Sequence, residues 1–194
     1  MKLFINGSPK LDKSNSFYFL SMINDNSKIR FLYKDDFDNI LRDINKISTI
    51  IFSFPLYVDG PPNKVIEFME YINDNKIDIK DKKIYCIINC GFFEAKQNEI
   101  AALIIKNFAI SNRAKYMGSF NIGAGEIVGK RNRKILYKII SIPFYFKIKK
   151  FKNSINKGLK VNLNTTIRPM SKKLYVFLAN ISWRKKMREN KIIK

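Results

Sequence analysis

Residues 5–16, near the amino terminus, read Ile-Asn-Gly-Ser-Pro-Lys-Leu-Asp-Lys-Ser-Asn-Ser. A short apolar run, Leu3-Phe4-Ile5, precedes this loop-like stretch, and Phe17, Leu20 and Ile23 follow it at near-helical spacing. The pattern predicts a strand, a loop and a helix. Ser and Asn side chains and the free amides of a helix start bind anions, but the same residues also serve as ordinary helix caps. This stretch alone leaves both a phosphate site and a plain cap open.

Strand patterns alternate with helix patterns through the first 130 residues. Apolar or β-branched runs at 28–33, 47–54, 83–89 and 116–122 predict four strands after the first one, with helices between them. Such alternation implies an α/β fold, in which a parallel sheet is covered by helices on both faces. Ligands of these folds bind beyond the carboxyl ends of the strands. The loops expected at those ends are 7–16, 55–62 and 89–94.

The chain changes character after Gly129. Residues 1–100 hold 14 basic and 14 acidic residues, whereas residues 101–194 hold 23 basic and 2 acidic ones, which is the whole net charge of +21. Aromatic, aliphatic and basic residues mix at 131–152, a loop is expected at 158–169, and a basic helix with the only tryptophan, Trp183, is expected at 171–189. We therefore divide the chain into a domain at 1–129 and a basic helical extension at 130–194, packed on or beside it.

Composition excludes several kinds of site. The chain has no histidine, which rules out Ser-His and Cys-His catalysis and any His-ligated metal. Its two cysteines, Cys86 and Cys90, lie four residues apart and form neither a CxxC redox pair nor a metal knuckle. No secretory signal and no apolar run of membrane-spanning length is seen. These features predict a cytoplasmic protein.

A glycine-rich segment, Gly123-Ala124-Gly125-Glu126-Ile127-Val128-Gly129-Lys130, resembles a nucleotide loop only superficially. A P-loop needs glycine where Ala124 stands and Ser or Thr where Arg131 stands, and a dinucleotide loop needs glycine at Val128. The favoured interpretation is a flexible turn after the last strand.

Four motifs in order carry a family resemblance: Asn-Gly-Ser-Pro-Lys at 6–10, Ser-Asn-Ser at 14–16, Pro-Leu-Tyr-Val-Asp-Gly-Pro at 55–61 and Asn-Cys-Gly-Phe-Phe-Glu at 89–94. Over about residues 1–130 the chain resembles the flavodoxin-like superfamily, within it the branch of NAD(P)H-dependent FMN reductases, quinone reductases and azoreductases. The resemblance implies a three-layer, doubly wound sandwich. Its five-stranded parallel sheet would have the order 2-1-3-4-5, followed here by extra basic carboxyl-terminal helices.

The same resemblance implies which residues contact FMN. The phosphate loop would comprise Ser8, Lys10, Ser14, Asn15 and Ser16. The loop along the isoalloxazine ring would comprise Pro55, Leu56, Tyr57 and Val58, and the loop at its other edge Asn89, Cys90, Gly91 and Phe92. For Cys90, the residues themselves favour a structural thiol over a ligand-facing one.

The activity implied is transfer of a hydride from NADH or NADPH, through flavin N5, to a quinone, azo, nitro or flavin acceptor. Because the flavin carries this chemistry, no catalytic protein residue and no metal is expected. The iron–sulfur loop of some relatives is missing, so no cluster is inferred. The family also implies a homodimer. The alternative is a flavodoxin-like electron carrier or a membrane-surface binding module without NAD(P)H activity.

The basic segment 130–194 has three interpretations. In the favoured one, its aromatic residues dock on the sheet or on a second subunit while its lysines are solvated. In the second, it contacts an anionic membrane surface peripherally. Nucleic-acid binding is the least expected. The membrane interpretation assigns interface contacts to Ile135, Ile139, Ile142, Phe144, Tyr145 and Phe146.

Overall fold

The computed structural model describes residues 1–128, 139, 141–167 and 170–190, apart from the side chain of Lys186. Its strands are β1 (Lys2–Asn6), β2 (Ile29–Phe31), β3 (Thr49–Pro55), β4 (Lys83–Asn89), β5 (Lys115–Ile122) and β6 (Leu163–Thr165). Its helices are α1 (Asn15–Ile23), α2 (Phe37–Leu41), α3 (Asn63–Asp74), α4 (Glu99–Ser111), α5 (Gly125–Val128), α6 (Ile142–Lys157) and α7 (Lys172–Glu189). Single 3-10 turns occur at Leu11–Lys13, Ile44–Lys46 and Ala95–Asn98.

All six strands are parallel and form one sheet in the order β2-β1-β3-β4-β5-β6. The α/β class and the order 2-1-3-4-5 predicted from the sequence are confirmed. The register brings the carboxyl ends of neighbouring strands together, since Asn6 lies opposite Ser53, and Asn89 lies between Pro55 and Ile122. The three predicted ligand loops therefore leave the sheet side by side.

The sheet has a sixth strand where the sequence predicted a loop at 158–169. Strand β6 has only three residues and pairs with Phe120–Ile122 of β5. Just before it, the side chain of Asn162 accepts a hydrogen bond from the backbone amide of Ser119, and Val161 donates its amide to Met117 O. A run as short as Leu-Asn-Thr has no apolar periodicity of its own, so its pairing is dictated by β5 and could not be seen in the sequence.

Two apolar layers cover the sheet. One packs α2, α3 and α4 against Ile5, Ile50 and Phe52, and the other packs α1 and α6 against Phe4, Ile51 and their neighbours. This division follows from the strand repeat of two, which sends alternate side chains to opposite faces.

Helix α6 completes the second layer by burying four residues at helical spacing, Phe144, Ile148, Phe151 and Ile155. Phe144 is fully buried and stacks on Phe120 with ring centroids 5.9 Å apart. The sequence-based assignment of Phe144 to a membrane interface is therefore wrong, whereas Ile139, Ile142, Tyr145 and Phe146 are exposed. Ile135 lies outside the described residues. None of the helices described here is both long and apolar enough to span a bilayer.

Candidate functional site

The side chain of Asn89 joins the three loops at the carboxyl edge of the sheet. Its amide nitrogen donates to Ser16 Oγ at 2.8 Å and to the carbonyl oxygen of Phe54 at 3.2 Å. The backbone carbonyl of Asn89 accepts from the amide of Leu56 at 2.8 Å. From β3, Ser53 Oγ donates to the carbonyl of Ser16 at 2.9 Å. The loops after β1, β3 and β4 are thus held together by buried hydrogen bonds, which make them one site.

Asn6, the last residue of β1, shapes the first loop. Its side-chain amide donates to Leu11 O at 2.9 Å, and its oxygen accepts from the amide of Ser8 at 3.0 Å. The neighbouring Gly7 lies so close to α3 that a Cβ there would come within 2.3 Å of Val65 Cγ2. Asn6 was not among the predicted site residues. An amide at the end of a buried strand, just before a turn-rich loop, was the available signal.

The first turn of α1 has free backbone donors. Ser14 caps the helix, because its hydroxyl oxygen accepts from the amide of Phe17 at 3.0 Å while the hydroxyl donates to Leu11 O at 2.6 Å. Among the residues that the structure describes, no acceptor faces the backbone amides of Asn15 and Ser16. A helix start with free amides attracts negative charge through both hydrogen bonding and the helix dipole.

The predicted phosphate-contacting residues surround this turn but differ in orientation. Ser8, Ser14 and Ser16 are buried, whereas Lys10 lies exposed on the loop. The side chain of Asn15 turns away from the loop and donates to Gly125 O at 3.2 Å. The helix turn therefore presents backbone amides rather than the Asn15 and Ser14 side chains, which already have partners.

The second loop ends in a tight turn at the molecular surface. Tyr57 and Gly60 exchange two backbone hydrogen bonds of 2.9 Å, with Val58 and Asp59 at the turn in the left-handed region at φ 45° and 60°. Of the predicted ring-contacting residues, Pro55 and Leu56 are partly buried, while Tyr57 and Val58 are exposed. Partial burial, assisted by the nearby Tyr33, raises the pKa of the Tyr57 hydroxyl.

Cys90, in the third loop, points into the protein. Its sulfur is 3.7 to 3.8 Å from the carbonyl oxygens of Phe92, Glu94 and Ile122. Burial raises the pKa of this thiol. The structural-thiol interpretation of its side chain agrees with this placement. Gly91 and Phe92, by contrast, are exposed.

The glycine-rich turn after β5 packs tightly against the third loop. The amide of Gly125 donates to Cys90 O at 2.8 Å, and that of Ala124 donates to Phe92 O at 2.6 Å. A Cβ on Gly123 would lie 2.3 Å from Phe93 O. The expected loose turn is instead a close backbone packing that supports the third loop and begins α5.

The carboxyl-terminal helix α7 is attached to the same loop at its first turns. Tyr175 is buried, donates its hydroxyl hydrogen to Gly91 O, and packs its ring 5.6 Å from that of Phe93. Lys172 forms an ion pair with Glu94 and lowers the pKa of that carboxyl group. This neighbour of the site was not predicted, because nothing in the sequence links Tyr175 to Gly91, 84 residues earlier.

No group of three or more Cys, Asp or Glu side chains within the described ranges could hold a metal ion. A groove of about 980 Å³ lies between α4 and the β5–β6 edge, and a second of about 500 Å³ lies near Met1 and Gly158. Neither groove contains a residue predicted to contact the flavin.

Comparison with known proteins places the fold. No family model and no curated protein sequence matches the chain. Among solved structures, it is similar to an NADPH-quinone reductase from P. pentosaceus, with a TM-score of 0.58, 15% identity, and coverage of 80% of this chain and 96% of that one. It is equally similar to an FMN-dependent NADH-azoreductase from Bacillus anthracis solved in complex with FMN, with a TM-score of 0.58, 13% identity and coverage of 79% and 98%.

A third similar structure is a flavodoxin from Streptococcus pneumoniae, with a TM-score of 0.56, 11% identity and coverage of 82% of this chain and 100% of that one. All three have the flavodoxin-like fold, and so does this chain. The identities are low, and the likeness therefore establishes the fold and leaves the activity to be argued from the site.

Proposed function

We propose that this chain is an FMN-dependent oxidoreductase that takes a hydride from NADH or NADPH and delivers it to a quinone, azo, nitro or flavin acceptor. One observation carries the proposal: the two free amides at the start of α1 lie in the same hydrogen-bonded cluster of loops as the predicted ring-contacting residues. A ligand with a terminal phosphate and a flat ring system would use both parts.

The first loop fits a monophosphate. The amides of Asn15 and Ser16 would donate to phosphate oxygens in place of water, and the nine-residue helix behind them adds its dipole. The exposed Lys10 supplies positive charge on the same loop. Ser8 and Ser16 each accept a hydrogen bond, and no acceptor for their own hydroxyl hydrogens is seen in the described residues. These hydrogens would also donate to the phosphate.

The other two loops fit the flavin ring. A Cβ on Gly91 would meet no atom within 4 Å, so the backbone there is open to the approach of a flat ring. The ring of Tyr57 and the backbone from Pro55 to Val58 would lie along the isoalloxazine, with Phe92 at the opposite edge. Side chains of Asn89 and Cys90 point inward, so these two residues would act through backbone groups and by fixing the loops.

Bound FMN would supply the hydride chemistry, since its ring accepts and releases two electrons without a catalytic acid or base from the protein. The protein's own groups would hold the ring, position the nicotinamide and acceptor in turn, and shield the reacting face from water. The hydroxyl of Tyr57 is neutral near pH 7, as an ordinary tyrosine is, and its raised pKa keeps it so at higher pH; it can therefore donate a hydrogen bond to a ligand.

The second candidate is an electron carrier without NAD(P)H activity, which the comparable likeness to a flavodoxin favours. Reconstitution separates the two functions. Purified protein incubated with FMN and desalted should be yellow and should bleach anaerobically with NADH or NADPH. Yellow protein that bleaches only with dithionite would favour the carrier, and protein that retains no FMN would contradict both.

The homodimer expected from the family stays a prediction, to be checked by analytical ultracentrifugation with and without FMN.

A further inference from the structure

Helix α7 bears a stripe of exposed apolar residues. Leu174, Phe177, Leu178 and Ile181 follow one another at spacings of three, one and three residues, which places them on one face of the helix. Their exposures lie between 42% and 60%. We call these four residues the α7 stripe. Four large exposed apolar side chains on one helix face indicate a surface that is covered in use.

The charges around the α7 stripe identify what covers it. At the next positions of the same face, Ile181 is followed by Arg184, Lys185 and Arg188, all exposed. The first two residues of the helix are Lys172 and Lys173, and Glu189 is its only acid. A second α7 packed in parallel would bring Arg184, Lys185 and Arg188 of the two helices against each other, and an antiparallel one would bring them beside Lys173 of the other helix. Like charges make both arrangements unfavourable.

Helix α6 adds a second exposed apolar surface at the same edge of the sheet. Its last turn lies at the amino edge, where Asn156 accepts from Lys2 and Gly158 borders Lys83. The 16-residue helix spans about 24 Å, so its first turns lie at the carboxyl edge. Ile142 and Phe146 are exposed there. The remainder of α6 carries five lysines and no acid.

We infer that α7, with the first turns of α6, docks this protein on an anionic lipid bilayer and that the electron acceptor is a quinone dissolved in that bilayer. The α7 stripe would enter the interface between headgroups and acyl chains, while Arg184, Lys185 and Arg188 pair with lipid phosphates. Anchoring through Tyr175 and Gly91 keeps the docked helix beside the third loop of the proposed flavin site. The acceptor assignment rests on the proposed function, whereas the docking does not.

The overall reaction balances without a further reactant. NADH or NADPH gives up a hydride, which carries two electrons and one proton, and the quinone takes both electrons, that proton and one proton from water. The products are NAD⁺ or NADP⁺ and a quinol. Docking adds no chemical step. It shortens the path of a water-insoluble quinone to the edge of the sheet where the three loops meet.

Co-sedimentation provides the direct readout, since Trp183, the only tryptophan of the chain, lies on the face of α7 opposite the α7 stripe. Wild-type protein is mixed with phosphatidylcholine vesicles and with vesicles of phosphatidylcholine and phosphatidylglycerol, and the fraction in the pellet is measured at increasing lipid concentration. We expect recovery in the pellet with anionic vesicles only, weakened by added salt.

Two variants and two matched controls test the parts. Phe177→Ser with Ile181→Ser should weaken vesicle binding by about tenfold or more, whereas Leu103→Ser with Ile110→Ser, equally exposed on α4, should not. Replacing Arg184, Lys185 and Arg188 by Gln should weaken binding by about a hundredfold. Replacing the exposed Lys28, Lys80 and Lys106 by Gln removes the same formal charge elsewhere and should have a much smaller effect.

Each result either supports the docking or overturns it. Equal binding to neutral and anionic vesicles, or unchanged binding of the stripe variant, would overturn the docking. So would binding to duplex DNA without binding to vesicles, or self-association in the absence of lipid that the Phe177→Ser, Ile181→Ser variant abolishes. If docking holds, wild type should reduce a long-chain quinone in anionic vesicles faster than the stripe variant does, whereas the two proteins should reduce a water-soluble quinone at the same rate. If the two proteins also reduce the long-chain quinone at the same rate, the acceptor assignment is overturned. Vesicle binding without FMN retention would refute the proposed function and leave the docking in place.

Discussion

The side-chain amide of Asn89 donates a 2.8 Å hydrogen bond to Ser16 Oγ, and this bond joins the end of β4 to the first turn of α1. Both residues are buried, and the same amide group also reaches Phe54 O. One side chain thus connects all three loops of the proposed flavin site. The connection has a measurable energetic consequence.

We expect Asn89→Ala to lower the free energy of unfolding by about 1–3 kcal/mol, because it leaves the buried Phe54 carbonyl without this donor and opens space around Ser16. Urea denaturation measures the change. Asn107→Ala, an exposed substitution on α4, is the control and should stay within about 0.5 kcal/mol of wild type. Equal stability of the two variants would mean that Asn89 does not couple the loops.

Gly7 is held against Val65 too closely for any side chain. We expect Gly7→Ala to destabilise the protein by about 1–3 kcal/mol, since its Cβ would lie 2.3 Å from Val65 Cγ2 and force α3 or the first loop to move. Val65→Ala removes that methyl group. In the Val65→Ala background, Gly7→Ala should therefore cost less than in wild type, as a double-mutant cycle of unfolding free energies will reveal. Additive costs would contradict the proposed clash.

Both thiols should be unreactive in the folded protein. Burial raises the pKa of Cys86 to about 12 and also raises that of Cys90, so neither is a thiolate near pH 8. An aromatic disulfide reagent should modify both slowly without denaturant and rapidly with it. Because burial raises both pKa values in the folded protein, the free energy of unfolding should fall as the pH rises above the ordinary pKa of a cysteine. At such a pH the unfolded chain releases the thiol protons, which the folded protein still holds. In a Cys86→Ala protein, fast native modification of Cys90 would show that its sulfur faces the ligand side.

The hydroxyl of Tyr175 attaches α7 to the third loop. Tyr175→Phe keeps the ring contact with Phe93 but loses the hydrogen bond to Gly91 O, which we expect to be worth about 1 kcal/mol. Limited trypsin cleavage after Arg184 or Lys185 should then become about fivefold faster. Tyr33→Phe, which loses a hydroxyl bond to Asn63 instead, is the matched control. Equal cleavage of wild type and Tyr175→Phe would show that other contacts attach the helix.

The strands with strong local signals were predictable. Residues 47–54 are nearly all apolar or β-branched, as a strand buried on both faces must be, and β3 is found at Thr49–Pro55; β4 matches its prediction at 83–89. Loop positions at the carboxyl edge followed from the parallel topology. The short β6 could not be predicted because its pairing depends on β5 rather than on its own residues.

The directions of the loop side chains could not be predicted from the sequence either. Motif position assigned Ser16, Asn89 and Cys90 to a ligand, but whether each one points outward depends on neighbours that are distant in sequence, such as Phe54 and Ile122. The burial of Phe144, in contrast, could have been predicted from the sequence. Together with Ile148, Phe151 and Ile155 it has the spacing of a buried helix face, but the many lysines between these residues made the segment look like a surface helix.

The central claim is that the backbone amides at the start of α1 bind the phosphate of FMN. Proline fits the first position of a helix, and Ser14 already has the extended backbone, φ −82° and ψ 154°, that a residue before proline adopts. Asn15→Pro therefore removes the Asn15 amide without breaking the helix. Asn15→Ala keeps that amide and loses the same side chain, so comparing the two variants isolates one N–H group.

The most direct measurement is the dissociation constant of each variant for FMN and for riboflavin, read from flavin fluorescence. Loss of one hydrogen bond to a charged group, worth about 1.5–3 kcal/mol, should make Asn15→Pro bind FMN about 10- to 100-fold more weakly than Asn15→Ala. Riboflavin, which has no phosphate, should bind the two variants equally. Equal FMN affinities, or an equal loss for riboflavin, would contradict the assignment of the phosphate to this helix turn.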